Sequence, residues 1–243
     1  MNDKLIAKLQ EMIDKAKRIV IMTGAGFSTA SGIPDFRGAD GLYTDGKTMV
    51  PPEVIISHHY FMEHPQEFYQ YYYDKMIYPK ALPNQGHYFV AKLEQNQKLM
   101  AVITQNIDGL HQIAGSKTVY ELHGTIMRNH CMKCHSGYSL EDILTLGKVP
   151  YCPKCGGLIK PDVTLYEEPL EEDVLDKALR AIVNCDLLII AGSSMVVNPA
   201  ASLPYHYRGV HMVIINLGTT PLDRYASLVI RERTEEVFDR IKL

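Results

Sequence analysis

Two CxxC pairs, Cys131-Met-Lys-Cys134 and Cys152-Pro-Lys-Cys155, stand with 17 residues between them and constrain this chain more than any other feature. Two residues between thiolates let a tight turn aim both sulfurs at one metal, and two such turns close a tetrahedral shell. The expectation is one structural Zn2+ held by Cys131, Cys134, Cys152 and Cys155. A four-thiolate shell leaves no position open for water, which argues against a catalytic metal. Gly137 and Gly156 follow the two pairs and are expected to turn the backbone so that its amides face the sulfurs. His130 and His135 flank the first pair as alternative ligands, but the all-cysteine shell is simpler. Cys185 has no partner in sequence, opens an apolar stretch and reads as a packed core residue.

Around that segment, strands alternate with helices. Leu5, Ile6, Leu9, Met12, Ile13 and Ala16 recur at helical spacing, so residues 3–17 read as an amphipathic helix. Arg18–Thr23 reads as a buried strand that runs into a glycine-rich turn. Further apolar runs lie at Leu99–Thr104, Val119–Leu122, Asp186–Ala191, Met212–Asn216 and Leu228–Ile230, with a helix expected over Glu171–Asn184. This rhythm predicts an α/β fold with a Rossmann-like, doubly wound parallel sheet. Residues 41–83 are rich in Tyr, Met and His and read as a helical insertion. Residues 125–162 read as a zinc-ribbon insertion, and the two should form a smaller lobe. The large dinucleotide-binding domain then comprises residues 1–40, 84–124 and 163–243.

The 243 residues suffice for such a core. A net charge of -3 argues against a direct nucleic-acid partner, which would call for a basic face. Met1–Lys17 is interrupted by charges, so no signal peptide is expected, and Leu187–Ala191 is too short to span a bilayer. With no membrane segment and cysteines suited to a metal, the expected location is cytoplasmic. Oligomeric state leaves no mark in the sequence.

Gly24-Ala-Gly26 follows a strand, where small residues let backbone amides approach a pyrophosphate. The third glycine of the usual dinucleotide fingerprint is replaced by Thr29 or Ala30. No clear acidic residue on the next strand grips a ribose, so a hydride-transferring dehydrogenase fits poorly.

Gly24-Ala-Gly-Phe-Ser-Thr-Ala-Ser-Gly-Ile-Pro-Asp-Phe-Arg-Gly38 closely resembles the signature loop of the sirtuins, the silent-information-regulator family. Thr104-Gln-Asn-Ile-Asp-Gly-Leu-His-Gln112 and Glu121-Leu-His-Gly124 resemble two further signatures, and the double CxxC follows in family order. Pro161–Tyr166, Gly192–Ala200 and Ile215-Asn216 extend the similarity over essentially the whole chain.

That resemblance implies an NAD-dependent protein lysine deacetylase in which NAD is a consumed co-substrate. The acetyl oxygen of a bound acetyl-lysine attacks the ribose carbon as nicotinamide leaves. A base then activates a ribose hydroxyl, and water completes release of lysine and O-acetyl-ADP-ribose. The resemblance makes His123 that base, which suits a side chain whose ordinary pKa lies near neutrality. It places Asn106 and Gln105 at the nicotinamide ribose, with Asp108 and the Ile107 backbone at the nicotinamide amide. Ala25, Thr29 and Arg37 are implied at the phosphates and ribose, Phe36 as a shield over the ribose face, and Ser193, Ser194 and Asn216 on the adenosine side. Acetylated lysines of protein substrates would bind as an added strand between Val163, Thr164 and Leu165 and the loop at Val196–Asn198.

The sequence departs from the family pattern at Phe27, where Ile is usual, and at Lys160, where Arg is common. Glu167 stands at a usual Gly and Thr164 at a common Val, both beside the expected acyl-lysine site. Tyr69 and Tyr72 stand where the acidic-acyl branch has Tyr and Arg, so a buried succinyl carboxylate would lack a partner. Acetyl or neutral longer acyl groups are therefore expected over succinyl. An NAD-dependent ADP-ribosyltransferase and a non-catalytic zinc-ribbon module are the alternative readings.

Overall fold

The computed structural model describes residues 3–35 and 50–243. Helix α1 (Asp3–Lys15) buries Ile6, Leu9 and Ile13 along one face. It ends two residues before the periodicity does, because the Asp186 carboxylate accepts the amides of Lys17 and Arg18 and holds that turn open at the foot of strand β1 (Ile19–Thr23). Two short 3-10 turns, Ala25–Phe27 and Thr29–Ser31, follow. Helices α2 (Pro52–Ile55), α3 (His58–Glu63), α4 (Pro65–Lys75) and α5 (Gln85–Gln95) precede β2 (Leu99–Thr104). The short α6 (Leu110–Ile113) leads to β3 (Val119–Glu121). The cysteine-bearing segment is β4 (Gly124–Cys131), β5 (Gly137–Ser139), α7 (Leu140–Thr145) and β6 (Ile159–Val163). The chain returns through α8 (Glu172–Asn184), β7 (Leu187–Ala191), β8 (His211–Ile215), β9 (Leu228–Ile230) and α9 (Thr234–Phe238).

The larger sheet has the order β3-β2-β1-β7-β8-β9 and is parallel throughout. Both of its faces are covered, which is why β1, β7 and β8 are almost continuously apolar. Ile19 and Ile21 of β1 face one core with α1, α5 and α9, while Val20 and Met22 face the other with α8. That alternation is the two-residue period of a strand. Strand order reverses at β1, between β2 and β7, the switch point at whose carboxyl end doubly wound sheets bind their ligands.

The second sheet is antiparallel, in the order β5-β4-β6. Phe61, Phe68, Tyr69 and Tyr72 of α3 and α4 share one core with Ile126, Cys131, Ile143, Cys152 and Ile159. The Tyr69 hydroxyl donates to the Ile159 carbonyl inside it. The helical and cysteine-bearing segments thus make one smaller lobe against the doubly wound sheet. Gly124, the hinge into that lobe, has φ +71°, and a Cβ there would collide with the Asp162 carbonyl. No helix among the described residues is long and apolar enough to cross a membrane.

Candidate active site

Four loops meet at the carboxyl end of the parallel sheet. They follow β1 (Gly24–Gly32), β2 (Gln105–Asp108), β7 (Gly192–Asn198) and β8 (Asn216). The β1 and β7 loops lie backbone to backbone, with the Gly26 amide on the Gly192 carbonyl at 2.8 Å. Gly192 has φ +64°, and a Cβ on it would strike the Phe27 amide, so only glycine fits. Ala25 and Thr29 are half-buried in the turn, and their amides have no backbone partner among the described residues. Phe36 and Arg37 lie outside the described residues.

Hydrogen bonds join three of these loops and His123 into one set. The Ser28 hydroxyl donates to Asp108 at 2.6 Å and accepts from Asn106 Nδ2 at 3.0 Å. Gln105 Nε2 donates to the buried Ser193 hydroxyl at 2.9 Å. His123 Nδ1 lies 3.0 Å from the Gln105 carbonyl. A carbonyl only accepts, so Nδ1 carries the proton and Nε2 is left as the basic nitrogen. The Ile107 carbonyl accepts the Ile126 amide at 3.0 Å, leaving its N–H as the available backbone group. Ser194 and Val196 are exposed, and Asn216 is half-buried, its Nδ2 on the Gly218 carbonyl at 2.9 Å.

Burial sets the charge state of the two titratable groups. It depresses the His123 imidazole below its ordinary value, and the bond to Gln105 only partly offsets this, so the ring is neutral near pH 7. Burial also raises the Asp108 carboxyl, against the opposing pull of Ser28 and the Leu110 amide.

The segment after β6 reaches this set directly, through the Thr164 amide on the His123 carbonyl at 3.0 Å. Val163 is buried in the smaller lobe, and its partner in β4 is Gly124. β6 is a terminal strand with only β4 beside it. The segment is riveted by charge. Lys160 Nζ donates to the Val163 carbonyl at 2.9 Å and to Glu168 at 3.0 Å. Glu168 also accepts the Leu165 amide and pairs with His58 of α3. An open groove of about 780 Å³ borders this segment, lined in part by Val163, Thr164, Glu168 and Gly124. Tyr69 and Tyr72 are wholly buried in the core of the smaller lobe.

The four cysteine sulfurs lie within 4.8 Å of one another, with Cys131–Cys155 at 3.4 Å and Cys134–Cys152 at 3.6 Å. A tetrahedron with zinc–sulfur bonds of about 2.3 Å has edges of about 3.8 Å, so the set fits zinc. The two turns match each other. The His135 amide bonds the Cys131 carbonyl and the Gly156 amide bonds the Cys152 carbonyl, at φ +58° and +71°. The left-handed residue of the first turn is therefore His135 and not Gly137, which instead opens β5. His130 is turned away to Asp162 at 2.5 Å. Cys185 is buried in the core, before β7.

Sequence reasoning passed over Ser28, which bonds both Asn106 and Asp108, and the buried Thr23, Thr104, His87 and His111 beneath them. Ser28 and His111 stood inside the quoted motifs, but no spacing rule marks a hydroxyl or imidazole as an internal support.

A doubly wound sheet with a glycine turn at its switch point, a half-buried neutral histidine bonded to the neighbouring loop and a four-cysteine lobe beside it defines a class of zinc-stapled nucleotide-binding enzymes. The Sir2 family model matches residues 24–199. An NAD-dependent protein deacetylase of Clostridium perfringens is 49% identical over 243 residues, covering 99% of each chain. One of Clostridium tetani is 51% identical over 226 residues, covering 92% of each. Among solved structures, a Sir2–p53 peptide–NAD+ complex superposes with TM-score 0.86 at 39% identity, covering 99% of this chain and 97% of the other. A Sir2 bound to acetylated peptide gives 0.86 at 38% identity with the same coverage. This chain belongs to the Sir2 family.

Proposed function

We propose that this protein is an NAD-dependent protein lysine deacetylase that consumes NAD and yields nicotinamide, O-acetyl-ADP-ribose and deacetylated protein. One observation carries the reading. His123, whose Nε2 has no partner among the described residues, is bonded through Gln105 and Asn106 to the same glycine turn whose Ala25 and Thr29 amides, also without a backbone partner among those residues, suit a pyrophosphate. Curated relatives at 49% and 51% identity are NAD-dependent protein deacetylases, and a related Sir2 structure holds deacetylated peptide with 3'-O-acetyl-ADP-ribose.

The neutral donors around the crevice fit NAD. Ala25 and Thr29 would hold its phosphates, with Arg37 and Phe36 completing that side. Gln105 and Asn106 would face the nicotinamide ribose, Asp108 and the Ile107 amide the nicotinamide. Ser193, Ser194 and Asn216 would take the adenosine. NAD supplies an electrophilic ribose carbon with a good leaving group. His123 Nε2 then accepts a proton from a ribose hydroxyl, and its Nδ1 bond to Gln105 holds the ring in the tautomer that can do so. The terminal edge of β6 and the residues after it, Val163 and Thr164, with Val196 opposite, would take the substrate as an added strand carrying the acetyl-lysine. The four cysteines hold zinc for shape alone. On this reading the large domain is residues 1–40, 84–124 and 163–243, and the small lobe is 41–83 with 125–162. The place of action is the cytoplasm. Acetyl and neutral longer acyl groups are preferred over succinyl.

The test is an assay of purified protein with NAD and acetylated peptide, with products identified by mass spectrometry. O-acetyl-ADP-ribose and nicotinamide are expected, and His123→Ala should lower turnover by about 10²–10⁴-fold while keeping zinc. Transfer of ADP-ribose to protein, or near-normal turnover in the variant, would overturn the assignment.

A further inference from the structure

Below the Gln105–Asn106 stretch lies a run of buried polar groups that the reaction above does not use. Thr104 Oγ1 accepts the Asn106 amide at 3.0 Å and the Thr23 hydroxyl at 2.9 Å. Thr23 has then spent its only proton. Its oxygen lies 3.0 Å from His111 Nε2, so that nitrogen is the donor and His111 Nδ1 is left as a bare acceptor. His87 Nδ1 accepts the Asn84 amide at 3.2 Å, which puts the His87 proton on Nε2. His87 Nε2 and His111 Nδ1 are both buried without a partner, one a donor and the other an acceptor, on rings whose centroids are 4.8 Å apart. The hydrogen bonds therefore run in one direction, from His111 to Thr23 to Thr104, and His87 packs its ring against His111 with a donor nitrogen facing an acceptor.

Phe27 of the glycine turn packs on both rings, at 4.9 and 5.2 Å. His87 and His111 are 0% and 1% exposed. Burial pushes the His87 imidazole down to about 3 and His111 well down in the same direction, so both stay neutral and need no counter-ion. Two incompletely satisfied imidazoles in an apolar core are destabilising where apolar rings of the same shape would pack freely. Their position gives them a use. The groups they support hold the backbone of Asn106, and the Gln105 amide sits on the Thr23 carbonyl at 3.0 Å.

We propose that His111, Thr23 and Thr104, with His87 packed against the His111 ring, form an internal brace that presents Gln105 and Asn106 to NAD, with His111 as its positioning residue. The proposal rests on the deacetylase reading, and calorimetric NAD binding by the full zinc-loaded protein separates the two. A wild type that neither binds nor cleaves NAD sinks that reading. A wild type that does, with indifferent brace variants, sinks the brace alone. His111→Phe keeps the ring shape beside Phe27 and removes both nitrogens. It should weaken NAD binding on the order of tenfold and raise the KM for NAD in step, with the KM for acetylated peptide unchanged. His111→Gln, whose amide N–H reaches toward Thr23, should recover most of that loss. In an Asn106→Ala background the His111→Phe penalty should shrink, because part of the brace's effect passes through the Asn106 side chain. Should His111→Phe fail to fold, Thr23→Val cuts the same link at constant shape and carries the same expectation. NAD affinity within twofold of wild type in the folded variant, or a penalty that persists undiminished with Asn106→Ala, would overturn the proposal.

Discussion

The floor of the nucleotide crevice and the rim of the substrate segment are held by different chemistry. The floor uses neutral groups, Thr23, Thr104, Ser28, His111 and His87, buried against the parallel sheet. The rim uses charge. Lys160, Glu168 and His58 form one cluster, Arg128, Glu121, His130 and Asp162 another, on the smaller lobe and its neighbours. Strands buried on both faces can place hydroxyls to within a hydrogen bond, so the floor has no need of ions. The rim is carried on an edge strand and a loop, where ion pairs supply the register that a sheet would otherwise give. The floor should therefore ignore salt and the rim should not.

The sharpest way to break the comparison is to remove the metal. Structural zinc contributes about 10 kcal/mol or more to the segment that binds it. Chelation, or Cys152→Ser, should melt the smaller lobe and lower deacetylation by more than about 100-fold, while the parallel sheet stays folded. Limited proteolysis should then cut within residues 125–162, and NAD binding should persist weakly. Loss of the whole helical circular-dichroism signal would show that floor and rim are one folding unit.

A smaller break is Glu168→Gln. Burial opposes ionisation of this carboxylate, but the Leu165 amide, His58 and Lys160 outweigh it and hold its pKa low. The Lys160 side chain is only 10% exposed, so neutralising its partner leaves a nearly buried ammonium unpaired. A loss of about 3 kcal/mol is expected, read from urea midpoints, with a raised KM for peptide and an unchanged KM for NAD. Equal effects on both KM values would erase the distinction between rim and floor.

The floor was half legible in the sequence. Apolar runs located β1, β2, β7 and β8 to within a residue or so, and the glycine turn and the double CxxC located the loops. The brace was not legible, because Thr23, His87, Thr104 and His111 are scattered over 88 positions and meet only when α5 and α6 pack together. The rim was visible only as departures from a family pattern, at Lys160 and Glu167. The turn at His135 was missed for a plain reason: glycine is the usual signal for a left-handed residue, and here a histidine takes that conformation.

Acid sharpens the comparison from the other side. Both His87 and His111 are neutral in the fold and titrate near 6.5 once unfolded. Below that value, down to about 3 for His87, the unfolded chain binds more protons, so their contribution is intact above pH 6.5 and is lost as pH falls. Each should remove about 1.4 kcal/mol of stability per pH unit in that window. Urea midpoints from pH 7 to 5 should fall less steeply in His111→Phe than in the parent. Parallel slopes would mean that His111 is not held neutral. His123, depressed in the same direction, places the acid limb of kcat/KM below pH 6.5.

The smallest expected effect lies at Glu167, where the family usually has glycine. Its backbone is left-handed, φ +76°, while its carboxylate accepts the His59 amide at 3.0 Å in the first turn of α3. The conformation costs about 1–2 kcal/mol for a residue with a Cβ. An anionic bond at a helix start returns about 0.3–1 kcal/mol. Glu167→Ala keeps the strain and drops the bond, so a loss of up to about 1 kcal/mol is expected. Glu167→Gly drops both but gives the unfolded chain more freedom, so it should lie within about 0.5 kcal/mol of the parent. Salt should close the gap between parent and Glu167→Ala, as screening weakens a charge held at the rim. If the parent and Glu167→Ala were equally stable at low salt, the carboxylate would contribute nothing to the latch between this loop and α3, and the strain at position 167 would be uncompensated.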